Sequence, residues 1–200
     1  MIVVGLTGGI ASGKSTVSKH MGEIGIPIFD ADAVAHDVVA KGTPGLKKVI
    51  KLFGEEYLCD GELNRKKMAE TVFYDNNKLK QLEEIVQSLV WQQATEFFEK
   101  QKTSGVRAVA LDVPLLIETG WYKKVDEVWL VRISAEEQIR RVMLRDKCTE
   151  EHAKARIASQ MSTDKKQTYA KIVIDNSGTV EQTLSQVDKE VKELLVRANN

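Results

Sequence analysis

Apolar residues along this chain fall into two alternating patterns. Short runs that are apolar at nearly every position occur at 2–6, 26–29, 106–111, 127–133 and 172–174. Runs this short, apolar on both faces, predict strands of a parallel sheet covered by helices. Between them lie segments with helical spacing. One is 16–24, closed by Gly25; another is 78–102, with Leu79, Leu82, Val86, Leu89 and Val90 in phase; a third is 150–159. In the tail from Thr179, Val180, Leu184, Val187, Val191 and Leu194 form one stripe, as on a helix covering a sheet. Ser134 with Glu137, and Thr179 with Gln182, have the spacing of capping boxes that open helices. The alternation predicts an α/β fold, a five-stranded parallel sheet flanked by helices.

The alternation lapses twice. Residues 31–105 carry helical signals alone and are too long for a simple crossover, so they predict a helical insertion. Gly42-Thr43-Pro44-Gly45 and Cys59-Asp60-Gly61 punctuate it. The second lapse, from 134 to 166, holds further helices and reads as a lid. The expected organisation is a core of 1–31, 106–133 and 167–200, an insertion at 32–105 and a lid at 134–166.

Charge narrows the ligand. Lys and Arg total 29 and Asp and Glu total 29, a balance that argues against a protein coating nucleic acid. A phosphate ligand must then be held locally. Residues 132–166 contain nine Lys or Arg against six Asp or Glu, so that segment is positive by three and the rest negative by three. Cys59 and Cys148 stand far apart without C-x-x-C spacing, which leaves neither a disulfide framework nor a thiolate metal site. A reducing cytosol is the simplest setting, so a cytoplasmic location is expected. No apolar run approaches the ~20 residues of a membrane span, and no membrane attachment or obligatory protein partner is expected. Trp91, Trp121 and Trp129 read as core or rim residues.

The strongest chemical signal is Gly8-Gly9-Ile10-Ala11-Ser12-Gly13-Lys14-Ser15, which fits G-x-x-x-x-G-K-[ST] between a strand and a helix. Glycines let successive N–H groups face one point, and the helix that follows, with Thr16 in its first turn, aims its positive end there. In such a loop Lys14 reaches the β- and γ-phosphates of ATP and the Ser15 hydroxyl meets Mg²⁺. A guanine-reading N-K-x-D is missing, since Asn77-Lys78-Leu79-Lys80 lacks the aspartate. Asp112, ending the third strand, is placed to hold Mg²⁺ or, alternatively, to open the turn before Pro114. Asp30 and Asp32 follow the second strand, at the sheet edge where ligands bind. Asp30 suits a helix N-cap, and Asp32 is then the candidate base for an acceptor hydroxyl. Arg141 and Arg145 share one helical face beside Arg140, with Arg156 on the next helix. They read either as a lid closing on triphosphate or as a solvated face.

With these residues assembled, the chain resembles the dephospho-coenzyme A kinase family over almost its whole length. The resemblance rests on the extended loop from Gly5 to Ser15, Asp30-Ala31-Asp32, Gly61-x-Leu63-x-Arg65 and Val113-Pro114-Leu115-Leu116-x-Glu118. Gln138-x-x-Arg141-x-x-x-Arg145 and Ile174-Asp175-Asn176-x-Gly178 follow in order. It implies a P-loop kinase that uses ATP and Mg²⁺ to phosphorylate the ribose 3′-hydroxyl of dephospho-coenzyme A. It further implies that Thr7 and Asp32 lie beside that hydroxyl, with Arg65 and Leu115 also on the substrate. Arg141 then meets the transferring phosphate, Arg145 binds ATP, Asn176 lies near adenine, and the insertion is the coenzyme A domain. Gln87-Ser88 replaces a His-Pro pair usual in the family, and Lys171 stands where an aspartate is common. Two other readings of the same residues are another small-molecule kinase, such as one acting on a nucleoside monophosphate, and a nucleotide-gated binding module.

Overall fold

A computed structural model describes residues 1–199. The chain divides into two compact units, Met1–Phe29 with the residues from Lys100 onward, and Asp30–Glu99. One of the two boundaries, after Glu99, falls inside a continuous helix, and the stretch read as a lid belongs to the same unit as the sheet.

In the first unit β1 (Ile2–Gly8) is the central strand. The five-stranded sheet runs β2-β5-β1-β6-β7, with β2 at Ile28–Asp30, β5 at Ala108–Asp112, β6 at Glu127–Arg132 and β7 at Ile172–Asp175. β1 pairs in parallel with β5 (Val4 opposite Ala110) and with β6 (Thr7 opposite Leu130), and β6 pairs in parallel with β7. The chain therefore builds to one side of β1 and then to the other. That reversal opens a crevice at the carboxyl end of β1, the switch point where open α/β sheets bind ligands. Helix α1 (Lys14–Glu23) and the C-terminal α9 (Val180–Arg197) cover the sheet, burying Val17 and Met21 with Val187, Val191 and Leu194 against Val4, Leu6 and Trp129. The predicted stripe of α9 is real except at its start: Val180 is exposed and Thr183 buried in its stead. Helices α6 (Ala135–Asp146), α7 (Glu150–Ala158) and α8 (Thr163–Gln167) lie between β6 and β7 in sequence.

The caps settle two local expectations. Thr179 and Gln182 form both bonds of a capping box. Ser134 forms only half of one: its hydroxyl accepts from Glu137 N–H, while its own N–H donates to Ser177 Oγ at 3.1 Å because Glu137 is drawn to arginines.

The second unit contains α2 (Ala31–Asp37), α3 (Pro44–Phe53), α4 (Arg65–Phe73) and most of α5 (Asn76–Thr103). Thr43 caps α3, accepting from Leu46 N–H at 3.1 Å, and Pro44 sits at the first helical position where its missing donor costs nothing. The unit is not purely helical. β3 (Leu58–Cys59) and β4 (Glu62–Leu63) form an antiparallel hairpin closed by Asp60 (φ 53°) and Gly61 (φ 81°). Both turn residues have positive φ, the geometry that favours Asp-Gly, and strands of two residues are too short to show periodicity. Gln87-Ser88 lies inside α5, which runs 28 residues without a break.

Lys171 has a structural partner. Its Nζ lies 2.6 Å from Glu127 Oε2, while Arg197 and Trp129 Nε1 donate to Oε1 at 2.7 and 2.9 Å. Burial raises the Glu127 carboxyl, but the bonds from Lys171 and Trp129 and the charges of Arg197 and Lys171 outweigh it, leaving the group below its ordinary value. No helix among the described residues is long and apolar enough to cross a membrane.

Candidate active site

The loop between β1 and α1 is built to leave donors open. Gly13, the N-cap of α1, has φ 87° and offers no side-chain acceptor, and no carboxylate lies in the first turn, where Lys14, Ser15 and Thr16 stand. The first amide groups of α1 thus face the cavity with the helix's positive end behind them. Ala11 also takes a positive φ, 59°, and the turn closes through Ser12 N–H to Gly9 O at 3.1 Å. A cavity of about 310 Å³ is lined by residues 8–15 with Pro114, Arg145 and Gln160. Among the described residues, Ser12 Oγ is the one buried side-chain oxygen with no hydrogen-bond partner.

Three side chains from distant parts of the chain brace this loop. Gln160 Oε1 accepts from Ile10 N–H and Gln138 Nε2 donates to Ile10 O, both at 2.9 Å. Asn176 Nδ2 donates to Ser12 O at 2.8 Å, and Asn176 Oδ1 accepts from Thr183 Oγ1 at 2.8 Å. Gly13 has a second reason to be glycine: a Cβ there would lie 1.9 Å from Asn176 Nδ2. The backbone of Asn176 is engaged too, its N–H with Arg132 O and its carbonyl with Arg141 Nη2. The adenine contact implied for Asn176 therefore does not come from an unengaged amide; the side chain holds the phosphate loop.

Lys14 Nζ pairs with Asp112 Oδ1. Both are largely buried, with side-chain exposures of 19% and 6%, so Asp112 does more than open a turn. Ser15, at the first turn of α1, and Asp112 supply hard oxygen ligands of the kind Mg²⁺ takes. Among the described residues no group of three or more His, Cys, Asp or Glu could hold a metal alone, so an ion here would complete its shell with phosphate oxygens and water.

Thr7 departs from its implied role. It is fully buried, and its hydroxyl donates to Pro114 O at 2.9 Å, so it holds the turn after β5 and presents no surface to a ligand. Leu115, in that same turn, is 41% exposed.

The arginines divide. Arg140 is 61% exposed and bonded to Glu137, which fits the solvated face. Arg141 is half-buried; Nε donates to Glu137 Oε1 at 2.7 Å and Nη2 to Asn176 O at 3.2 Å, while Nη1 lies beside the phosphate loop, 3.5 Å from where a Cβ on Gly13 would stand. Hydrogen bonds from Arg140 and Arg141 hold the Glu137 carboxyl down at about 2. Arg145 lines the phosphate cavity, with its guanidinium bidentate on Asp146. Arg156 also pairs with Asp146, so these arginines meet local carboxylates.

Asp30 and Asp32 lie in the other unit with Arg65. Asp30 is the N-cap of α2: Oδ1 accepts from Asp32 N–H and Ala33 N–H, each at 3.0 Å. Asp32 stands in the first turn of α2. Arg65 opens α4, and its Nη2 donates to His36 O at 3.1 Å. Gln160 was not legible as a site residue, since it belongs to no spaced motif, and Gln138 had a motif position but no role until its partner was located.

The model of the family described as "Dephospho-CoA kinase" matches residues 2–182. A dephospho-CoA kinase of Bacillus cereus is 44% identical over 192 residues, 96% of each protein. One from Carboxydothermus hydrogenoformans is 41% identical over 92% of this chain and 90% of its own. Among solved structures, TT1252 from Thermus thermophilus has a TM-score of 0.83 at 33% identity over 96% of both chains. The dephospho-CoA kinase from Campylobacter jejuni has a TM-score of 0.75 at 26% identity, covering 99% of this chain and 98% of that one. A phosphate loop braced from three sides and a match along nearly the whole sequence lead to one conclusion: the chain belongs to the dephospho-CoA kinase family.

Proposed function

We propose that the chain transfers the γ-phosphoryl group of ATP to the ribose 3′-hydroxyl of dephospho-CoA, the last step of coenzyme A synthesis. The observation that carries this reading is the uncapped start of α1 behind Gly13, with Lys14 beside Asp112, in a member of this family. ATP seats its phosphates on the amides of residues 9–15 other than Ile10 and Ser12, whose N–H groups the loop's own bonds engage. Lys14 exchanges Asp112 for the β- and γ-phosphates, where its charge counts most as transfer proceeds. Ser15 and Asp112 would hold Mg²⁺, which would offset the charge of the phosphates. Arg141 meets the phosphoryl group in flight, and Arg145, in the cavity wall, holds the triphosphate. Asp32 takes the proton of the acceptor hydroxyl, with Arg65 and Leu115 binding dephospho-CoA. Closure of 134–166 excludes water, so transfer outruns hydrolysis. The reaction needs no nucleic acid, membrane or protein partner, and the free thiols Cys59 and Cys148 suit a cytoplasmic setting.

One experiment tests the assignment of the base. Asp32→Asn should lower kcat by ~10²–10⁴-fold, the usual worth of a general base, with the ATP dissociation constant unchanged. Asp30→Ala should cost stability by about 1 kcal/mol, the usual worth of a cap, and spare turnover. Full activity in Asp32→Asn refutes the base. ATP consumption measured with dephospho-CoA, with AMP and with neither separates this kinase from a nucleoside monophosphate kinase and from a binding module.

A further inference from the structure

Lys166 is a charged side chain with no solvent exposure, and nothing in the reaction described above uses it. It lies on α8, and its Nζ reaches two groups: Glu118 Oε1 at 2.9 Å and the Pro114 carbonyl at 3.1 Å. Glu118 Oε1 also accepts from Met161 N–H at 3.2 Å. Pro114 O receives a second bond, from Thr7 Oγ1 at 2.9 Å, and Val113 N–H donates to Leu6 O at 3.0 Å. Residues 113–118 are thus held at both ends, to β1 by Val113 and Thr7 and to the α7–α8 connection by Glu118. Among the described residues, Lys166 is the one side chain that bonds both the Pro114 carbonyl and the Glu118 carboxylate.

A buried ion pair is a poor stabilising device, because desolvation offsets most of the attraction and an apolar side chain of similar volume often does as well. What the ammonium does that an apolar group cannot is donate to two separate acceptors at once. Its place is telling, since Pro114 lines the phosphate cavity and Leu115 beside it is an exposed apolar residue of the turn. We propose that Lys166, with Glu118, is a positioning residue that sets the turn carrying Pro114 and Leu115 where the acceptor meets the phosphoryl group. This rests on the proposed function in one respect, the placement of Leu115 on the acceptor. A displacement of ~1 Å at a reacting pair can cost ~10²-fold, so the lost anchor reads out in catalysis.

The test uses Lys166→Met, Lys166→Met/Glu118→Gln and Leu115→Ala in the full chain. Lys166→Met should lower kcat/KM for dephospho-CoA by about tenfold or more, leave the ATP dissociation constant within about threefold, and lower the melting temperature through the unpaired Glu118. The double variant has no unpaired carboxylate and keeps an acceptor for Met161 N–H. Its melting temperature should recover while kcat/KM for dephospho-CoA stays low, because the Pro114 carbonyl keeps only the Thr7 donor and has lost its tie to α8. Recovery of kcat/KM together with stability would show a purely structural pair and overturn the proposal. If Leu115→Ala keeps a normal KM for dephospho-CoA, the placement of Leu115 fails and takes the proposal with it. A raised KM there, with normal kinetics in the double variant, overturns the role of Lys166 alone.

Discussion

Replacing Asn176 by alanine tests whether the phosphate loop is held from behind. The variant loses the 2.8 Å bond to Ser12 O, in a residue 2% exposed, and the 2.8 Å bond from Thr183 Oγ1. Thr183 retains Thr179 O at 3.2 Å as an alternative, so the Ser12 carbonyl carries the main cost. A buried acceptor left without a donor costs about 1–3 kcal/mol, and we take about 2 kcal/mol. In a chain of this size that lowers the melting temperature by about 4–8 °C. If about half of it reflects loop order that ATP must restore, binding weakens about fivefold. Asn176→Asp should be worse than alanine, because a carboxylate would face the Ser12 carbonyl. Calorimetric unfolding and ATP titration of the same preparations read both quantities. A melting shift under about 1 °C with ATP binding within about twofold would refute the brace. Normal stability with reduced preference for ATP over GTP would return Asn176 to the adenine.

Arg141→Ala should depress kcat more than ATP affinity, because a charge meeting the phosphoryl group in flight favours the transition state, whereas Arg145→Ala should weaken ATP binding as well. Steady-state kinetics with ATP titration separates them, and equal small effects would make both a solvated face. The Glu127 cluster predicts a pH signature: a carboxyl held below 4.5 in the folded state contributes stability above that value, lost as pH falls through the folded value. Lys171→Met removes one source of the depression, so the stability gap between wild type and variant should be widest near neutral pH and shrink in acid. Denaturant unfolding at a series of pH values measures it, and a gap independent of pH would refute the ion pair.

Much of this protein was legible before any partner was located. Five strands and the helices α1, α5, α7 and α9 follow from hydrophobic period, a property of neighbours within about a dozen residues. The phosphate loop follows from glycine and lysine spacing in a strand–helix context. Asp30 as a cap and the Thr179–Gln182 box follow from side chains reaching backbone two or three residues away. The hairpin at residues 58–63 was carried by Asp60-Gly61, yet its strands were too short to register as a period.

Tertiary structure decided the roles that depend on residues far apart in the chain. Asn176 and Ser12 are 164 positions apart, Gln160 and Ile10 are 150, and Lys14 and Asp112 are 98. Thr7 carried a motif position that implied substrate contact, and only its burial beneath the Pro114 carbonyl showed that it acts on the turn. Lys166 in the sequence is one more lysine in a basic stretch. Burial made it a singular one, because a charge withdrawn from water must find its partners inside the fold. Such partners are set by how the strands order and the helices dock, a global arrangement that leaves no local period or spacing to read.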